Sequence, residues 1–341
     1  MSSLPLKIQT GPAIRSATKS SKQIRRIPTR PAALSRMADE AFRYATLFCA
    51  ASILLIVGLI LYELIERSQL SIGQFGWKFF SGTNWDPVSG DFGALPFVFG
   101  TLVSSAVALV IAVPLGIGVA VFVTEMCPKA LRGILSFFTE LLAAIPSVIY
   151  GLWAVFVLVP LMREYIQPFL AKYLPWTGLF TGPPYGIGML TAGIVLAIMV
   201  VPSISSITRE VMSAVPQHQR EAVLALGATR WEMIRTGVLR NARTGIMGGI
   251  MLGLGRALGE TMAVTMVIGN RPEIAKSLFA PGYTLASVIA NEFSEATDDL
   301  YLSALIEIGL ALFLLTVIVN AVARLLVWST TRGVPARVHG Q

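Results

Sequence analysis

The sequence predicts an all-α, polytopic membrane protein with about six transmembrane helices. Three observations lead there. The chain of 341 residues is 54% apolar and only 13% charged, with mean hydropathy +0.69. Apolar segments of at least about twenty residues, the length a bilayer core requires, recur along it. Its Lys and Arg residues are sorted into alternate gaps between those segments. Such a composition excludes an ordinary soluble domain.

Residues 1–41 are rich in Ser, Thr, Pro, Lys and Arg without apolar periodicity, and read as a disordered basic tail. The first apolar run begins near residue 42. That is too late, and the run too long, for a cleaved signal peptide, so it reads as a retained anchor helix. Six segments follow one another: 42–65, 96–124, 134–161, 186–207, 244–270 and 302–328. They fill a transmembrane domain over 42–330, with 209–243 as an internal loop and 331–341 as a second tail. With the N-terminus inside, twenty of the 27 Lys and Arg residues fall on the cytoplasmic side, counting those at span ends, and six outside; Arg256 is the one left in the membrane. The asymmetry predicts a multi-pass protein of the cytoplasmic (inner) membrane with both termini cytoplasmic.

Pro114, Pro146 and Pro202 fall inside predicted spans, where each removes a backbone hydrogen bond and kinks its helix. Phe75, Trp77, Phe79, Phe80 and Trp85 fit an interfacial aromatic belt. The acidic run Glu292, Glu295, Asp298 and Asp299 reads as a solvated loop. Cys49 and Cys127 form no Cys/His cluster, and two histidines are too few for a His-based metal site. No phosphate-loop, HExxH or GxSxG pattern occurs, so no catalytic, metal or cofactor site is expected. The net charge of +8 follows membrane topology and does not indicate nucleic acid.

The charged pair Arg256 and Glu260 stands one turn apart in the otherwise apolar stretch 244–270. A charge at the bilayer centre costs roughly 2.5–3.5 kcal/mol on insertion scales, so it is normally partnered or functional. At i,i+4 spacing the two lie on one helical face and suggest a polar path for a charged solute. The alternative is that they neutralise each other and pin a helix interface. Gly245, Gly249 and Gly253 recur every four residues, as do Gly255 and Gly259, a spacing that lets helices approach closely in lipid. Glu140 is expected near the cytoplasmic interface, and Glu307 is a second acid that could face the path.

The loop 209–243 reads as helix, Gly turn, helix. Pro216 opens a helix over Gln217 to Leu226, and Gly227 stops it in a left-handed cap. Thr229 and Glu232 form a capping box for a second helix, Arg230 to Leu239. Helices this short need something to pack on.

The run Glu221-Ala222-Val223-Leu224-Ala225-Leu226-Gly227-Ala228 resembles the EAA loop of ATP-binding-cassette (ABC) importer permeases. That resemblance implies a type I importer permease fold and an ATPase-coupling role for Glu221, Ala222, Ala225 and Gly227. In one respect the chain departs from the family pattern: Leu239-Arg240 stands where Leu-Pro is usual. Three further runs, Ala143–Trp153, Gly255–Val264 and Ser277–Gly282, are similar to phosphate-specific permeases of the PstC type. The resemblance covers roughly residues 42–330. It points to Arg256 as the phosphate contact, the same residue the charge reading selects; at i,i+4 spacing Glu260 is expected to hold Arg256 when phosphate is absent, and Thr261 joins these two in the expected translocation set. The resemblance also implies partners: separate ATPase subunits, a homologous second permease, and an extracytoplasmic phosphate-binding protein. A permease for another oxyanion, sulfate or molybdate, and a non-transporting membrane sensor or scaffold stay open on this reading.

Overall fold

The computed structural model describes residues 32–331. Of the tails predicted over 1–41 and 331–341, residues 1–31 and 332–341 lie outside the described residues. The chain divides into two compact units, residues up to Ile60 and residues from Leu61 onward. Helix α1 (Ala32–Arg67) begins inside the expected tail. In the first unit, the apolar side chains Phe48, Leu54, Leu55 and Ile60 on α1 are exposed, as lipid-facing residues are.

The second unit is almost entirely helical. Short helices α2 (Gln69–Phe75) and α3 (Lys78–Ser81) lead into a two-residue hairpin, β1 (Trp85–Asp86) against β2 (Asp91–Phe92). Then come α4 (Leu95–Met126, ending in a π turn at Phe122–Met126), α5 (Lys129–Ala144) and α6 (Ser147–Tyr173, with two π turns). They are followed by α7 (Met189–Ser213), α8 (Gln217–Ala225) and α9 (Arg230–Gly259). The order closes with α10 (Met262–Ile268), α11 (Leu285–Glu292) and α12 (Asp299–Thr331). By length and composition α1, α4, α6, α7 and α12 can each cross a membrane, and α9 with α10 can form a sixth span bent by 61°.

Two predicted spans are corrected. The segment 134–161 is not one helix. Pro146 has no N–H to donate and forces Ile145 into extended backbone (ψ 129°), so α5 ends at Ala144 and α6 begins at Ser147. α5 buries none of its residues, and the crossing helix extends instead to Tyr173. The segment 244–270 starts earlier and breaks before its end. Arg240, unlike a proline, keeps its N–H, and α9 runs unbroken from Arg230 through a π turn at Met233–Leu239. It stops at Gly259, where Glu260 is extended (ψ 127°). Pro114 and Pro202 remain inside continuous helices.

α7 is the best-buried helix, and its partners reach it through small residues. A Cβ on Gly193 of α7 would lie 2.5 Å from Val107 of α4, and one on Gly116 of α4 would lie 2.9 Å from Ile204. From α9, Gly245 faces Val211 at 2.5 Å, Gly249 faces Ile207 at 3.2 Å, and Gly253 faces Val200 at 2.8 Å. The four-residue repeat is therefore an antiparallel seam at which α9 meets α7 at backbone distance. Gly255 and Gly259 meet nothing within 4 Å, so the second repeat is not part of this seam.

The aromatic segment is also corrected. Phe79 and Trp85 are buried, Phe75 and Phe80 pack against them, and only Trp77 is largely exposed. Trp85, Phe92, Phe97 and Tyr301 form a connected ring cluster instead of a lipid-facing belt. Glu292 serves this core, accepting hydrogen bonds from Trp85 Nε1 (2.8 Å) and the Tyr301 hydroxyl (2.7 Å), which separates it from the solvated acidic run. Burial pushes the nearby Tyr283 hydroxyl above its ordinary value.

The glycine seam predicts a matched pair of variants. Gly245→Leu is expected to lower the thermal stability of the purified protein by about 1–3 kcal/mol through overpacking. Gly248→Leu, which projects into open space, is expected to melt near wild type. Equal losses in detergent melting curves would contradict the seam.

Candidate functional site

The site forms where the seam ends. Arg256 lies one turn beyond Gly253, the last seam glycine, so its side chain emerges beside α7. Its Nη1 donates to Ser203 Oγ at 3.3 Å. Ser203 follows Pro202, and Tyr150 on α6 lies within electrostatic reach of the guanidinium. Tyr150 is itself buried, with its hydroxyl donating to the Leu142 carbonyl at 2.7 Å. α6 approaches α10 closely at Gly151, where a Cβ would fall 2.5 Å from Met266 Sδ. Three elements, α6, α7 and α9, thus meet at one half-buried cation, and α10 packs against α6 beside them.

The expected Arg256–Glu260 pair does not form. The three ion pairs among the described residues are Arg67–Glu63, Arg209–Glu140 and Arg220–Glu125. The reason is the helix break. With Glu260 extended, i,i+4 spacing no longer places the two residues on one face. The Glu260 carboxylate instead accepts the Ala263 N–H at 3.3 Å, and Thr261 Oγ1 donates to the Gly259 carbonyl at 3.3 Å. Short polar side chains compete here with the helical ladder and hold the break open. Glu260 and Thr261 therefore shape the turn beside Arg256, while the hydrogen bond to neutral Ser203 leaves most of the guanidinium fork available to an anion.

Glu140 accepts from Arg209 at 2.6 Å. Glu307 is buried, but in an apolar groove beside Ile72, Trp77 and Leu314, a groove of which Arg256 is not a part. Ser203 and Tyr150 escape a sequence reading: each is an ordinary polar residue in its own span, and only the packing brings them to Arg256.

The second candidate region is at the opposite end of the seam. α8 begins after Pro216, and Gly227 (φ +82°) stops it in the left-handed conformation. The Thr229–Glu232 capping box starts α9. Glu221, Ala222, Ala225 and Gly227 are all exposed and form one surface, continued by exposed Leu226 and Trp231.

Residues 112–331 match the family described as binding-protein-dependent transport system inner membrane component. The chain belongs to this family. It is 47% identical over 302 residues to a phosphate transport system permease protein PstC of Mesorhizobium japonicum, covering 87% of this chain and 92% of that one. The corresponding protein of Pasteurella multocida is 48% identical over 290 residues, covering 84% and 90%. A probable PstC of Methanocaldococcus jannaschii is 37% identical, covering 85% and 93%. In fold, the chain resembles the crystal structure of a bacterial ABC transporter involved in alginate import, with TM-score 0.57 and 18% identity over 87% of this chain and 100% of that one. This is a multi-pass membrane permease of the ABC importer type, and its relatives are transport subunits, not enzymes.

The geometry at the break separates two roles for Glu260. As a backbone acceptor, it tolerates Glu260→Gln with little loss of stability, while Glu260→Ala removes the acceptor and costs about 1 kcal/mol. A carboxylate required to neutralise Arg256 would make both variants costly in the same thermal melt.

Proposed function

We propose that this chain is a transmembrane permease subunit of an ATP-driven importer that moves inorganic phosphate across the cytoplasmic membrane. The observation that carries the reading is Arg256, an intramembrane guanidinium whose hydrogen bond goes to a neutral hydroxyl and not to a carboxylate. Phosphate carries roughly one to two negative charges near neutral pH and cannot cross hydrocarbon unaided. An arginine stays charged and binds phosphate oxygens bidentately, so it suits a transient contact on a polar path. The names of the relatives add the substrate: several are phosphate transport permeases at 37–48% identity.

In this mechanism phosphate arrives from an extracytoplasmic binding protein and exchanges its hydration for the Arg256 fork, with Ser203 yielding its hydrogen bond. Glu260 and Thr261 keep α9 broken at that level, which leaves the guanidinium uncovered. ATP is hydrolysed on separate ATPase subunits that dock on Glu221, Ala222, Ala225 and Gly227. A homologous second permease supplies the other half of the path. The distribution of Lys and Arg supports cytoplasmic termini and a cytoplasmic α8 surface.

The test is radiolabelled phosphate uptake by the assembled complex in vesicles. Arg256→Gln is expected to reduce ATP-dependent uptake by about 10- to 100-fold, as loss of a charge-assisted contact implies, while the complex still assembles. Excess unlabelled sulfate is expected to leave wild-type uptake unchanged. Uptake that survives in the variant would overturn the role of Arg256, and sulfate competition would shift the substrate to another oxyanion.

A further inference from the structure

Arg220 immediately precedes Glu221, but it is half-buried where Glu221 is exposed. Nη2 donates to Glu125 Oε1 at 3.0 Å and to the Met212 carbonyl at 2.9 Å, and Nη1 donates to the Val215 carbonyl. The Arg220 and Glu125 side chains are only 14% and 8% exposed. One guanidinium thus joins three elements: the π turn that ends α4, the last turn of α7 with the residues just beyond it, and α8. A buried pair of this kind adds little net stability over an apolar replacement, so stability alone does not account for it.

The same helix is held on its other side. Asn241 Nδ2 on α9 donates to Gln219 Oε1 at 2.8 Å. Val223 reaches the π turn of α9 at Gly237, where a Cβ would lie 3.3 Å from it. α8 is flanked by Pro216 and by Gly227 at φ +82°, two positions about which a short helix could rock if only its ends restrained it. Its outward face carries Glu221, Ala222 and Ala225, and its inward face carries Gln219, Arg220 and Val223.

We infer that the Arg220–Glu125 pair is the strut that makes α8 move as one body with the ends of α4 and α7, so that force applied to its exposed face reaches the helices that carry the Arg256 site. The inference rests on the proposed coupling role of α8 and adds the residues that transmit the motion. Arg220 and Glu125 are positioning residues: they line one cavity with Glu221 and Trp231, but their own hydrogen bonds go to each other and to the end of α7. Gln219–Asn241 supplies the second tie, to α9.

The test uses the full complex. Glu125→Leu combined with Arg220→Met removes the tie without leaving a lone buried charge, and so is expected to fold. Arg220→Lys keeps a cation for Glu125. The double variant is expected to assemble with its ATPase and hydrolyse ATP, while the ATP consumed per phosphate imported rises about 5-fold or more, the lower range of coupling between sites. Arg220→Lys is expected to recover most of the wild-type ratio. An unchanged ratio in the double variant would overturn the inference, as would uptake and hydrolysis falling in parallel.

A second readout does not depend on phosphate. Spin labels at His218→Cys and Met126→Cys, both exposed positions, with Cys49 and Cys127 replaced, report the α8–α4 distance. In wild type the distance is expected to stay single and equal with and without a non-hydrolysable ATP analogue, and to broaden in the double variant. A wild-type distance that shifts with nucleotide, or a double variant as sharp as wild type, would overturn the strut. A wild-type complex that imports no phosphate would defeat the proposed substrate and leave this distance measurement to decide the strut.

Discussion

An arginine inside an apolar span needs a polar contact, and the contact with Ser203 is available only because α7 and α9 meet at backbone distance. Larger residues at Gly245, Gly249 and Gly253 would clash with Val211, Ile207 and Val200 and push the helices apart. A shift of a few ångströms there would take Ser203 out of reach and leave the guanidinium in hydrocarbon. The seam is thus the constraint on which the site depends, and the break at Glu260 follows it directly. By turning the chain through 61° just past Arg256, the break removes the nearest carboxylate from the cation that sequence spacing alone would have neutralised.

The two ends of the seam answer to different chemistry. At one end, a cation hydrogen-bonds a single neutral hydroxyl, the partner that the proposed phosphate contact would replace. At the other, a cation is committed to a carboxylate and two carbonyls and is poised for nothing except holding its neighbours. The contrast between Arg256 and Arg220 is a contrast in partners, because the guanidinium is the same. One seam helix, α7, contributes to both: Ser203 near its middle and the Met212 and Val215 carbonyls at its end.

Much of this was legible in the sequence. Hydropathy located four of the six spans closely, because length and composition alone decide whether a segment can cross a bilayer. Arg256 stood out as the one cation in its apolar stretch, and the Gly227 cap and Thr229–Glu232 box followed from local rules that need no tertiary context. What was not legible depended on packing or on competition between local bonds. Pro146 was readable as a kink, but not as a complete stop that would release α5 from the core. Glu260 read as an ion-pair partner because i,i+4 logic assumes an unbroken helix. The aromatic segment read as a belt because composition cannot distinguish rings facing lipid from rings facing each other. The sequence separation of 95 between Glu125 and Arg220 left their pairing without any sequence signal.

The central claim is that the Arg256–Ser203 junction is part of an aqueous path that phosphate enters. The most direct measurement is the modification of Ser203→Cys by a small water-soluble thiol reagent in the assembled, otherwise cysteine-free complex, during ATP turnover. Labelling that phosphate slows and sulfate does not is expected. A cysteine that stays unreactive in every nucleotide state, or that reacts at the same rate whether or not phosphate is present, would contradict it.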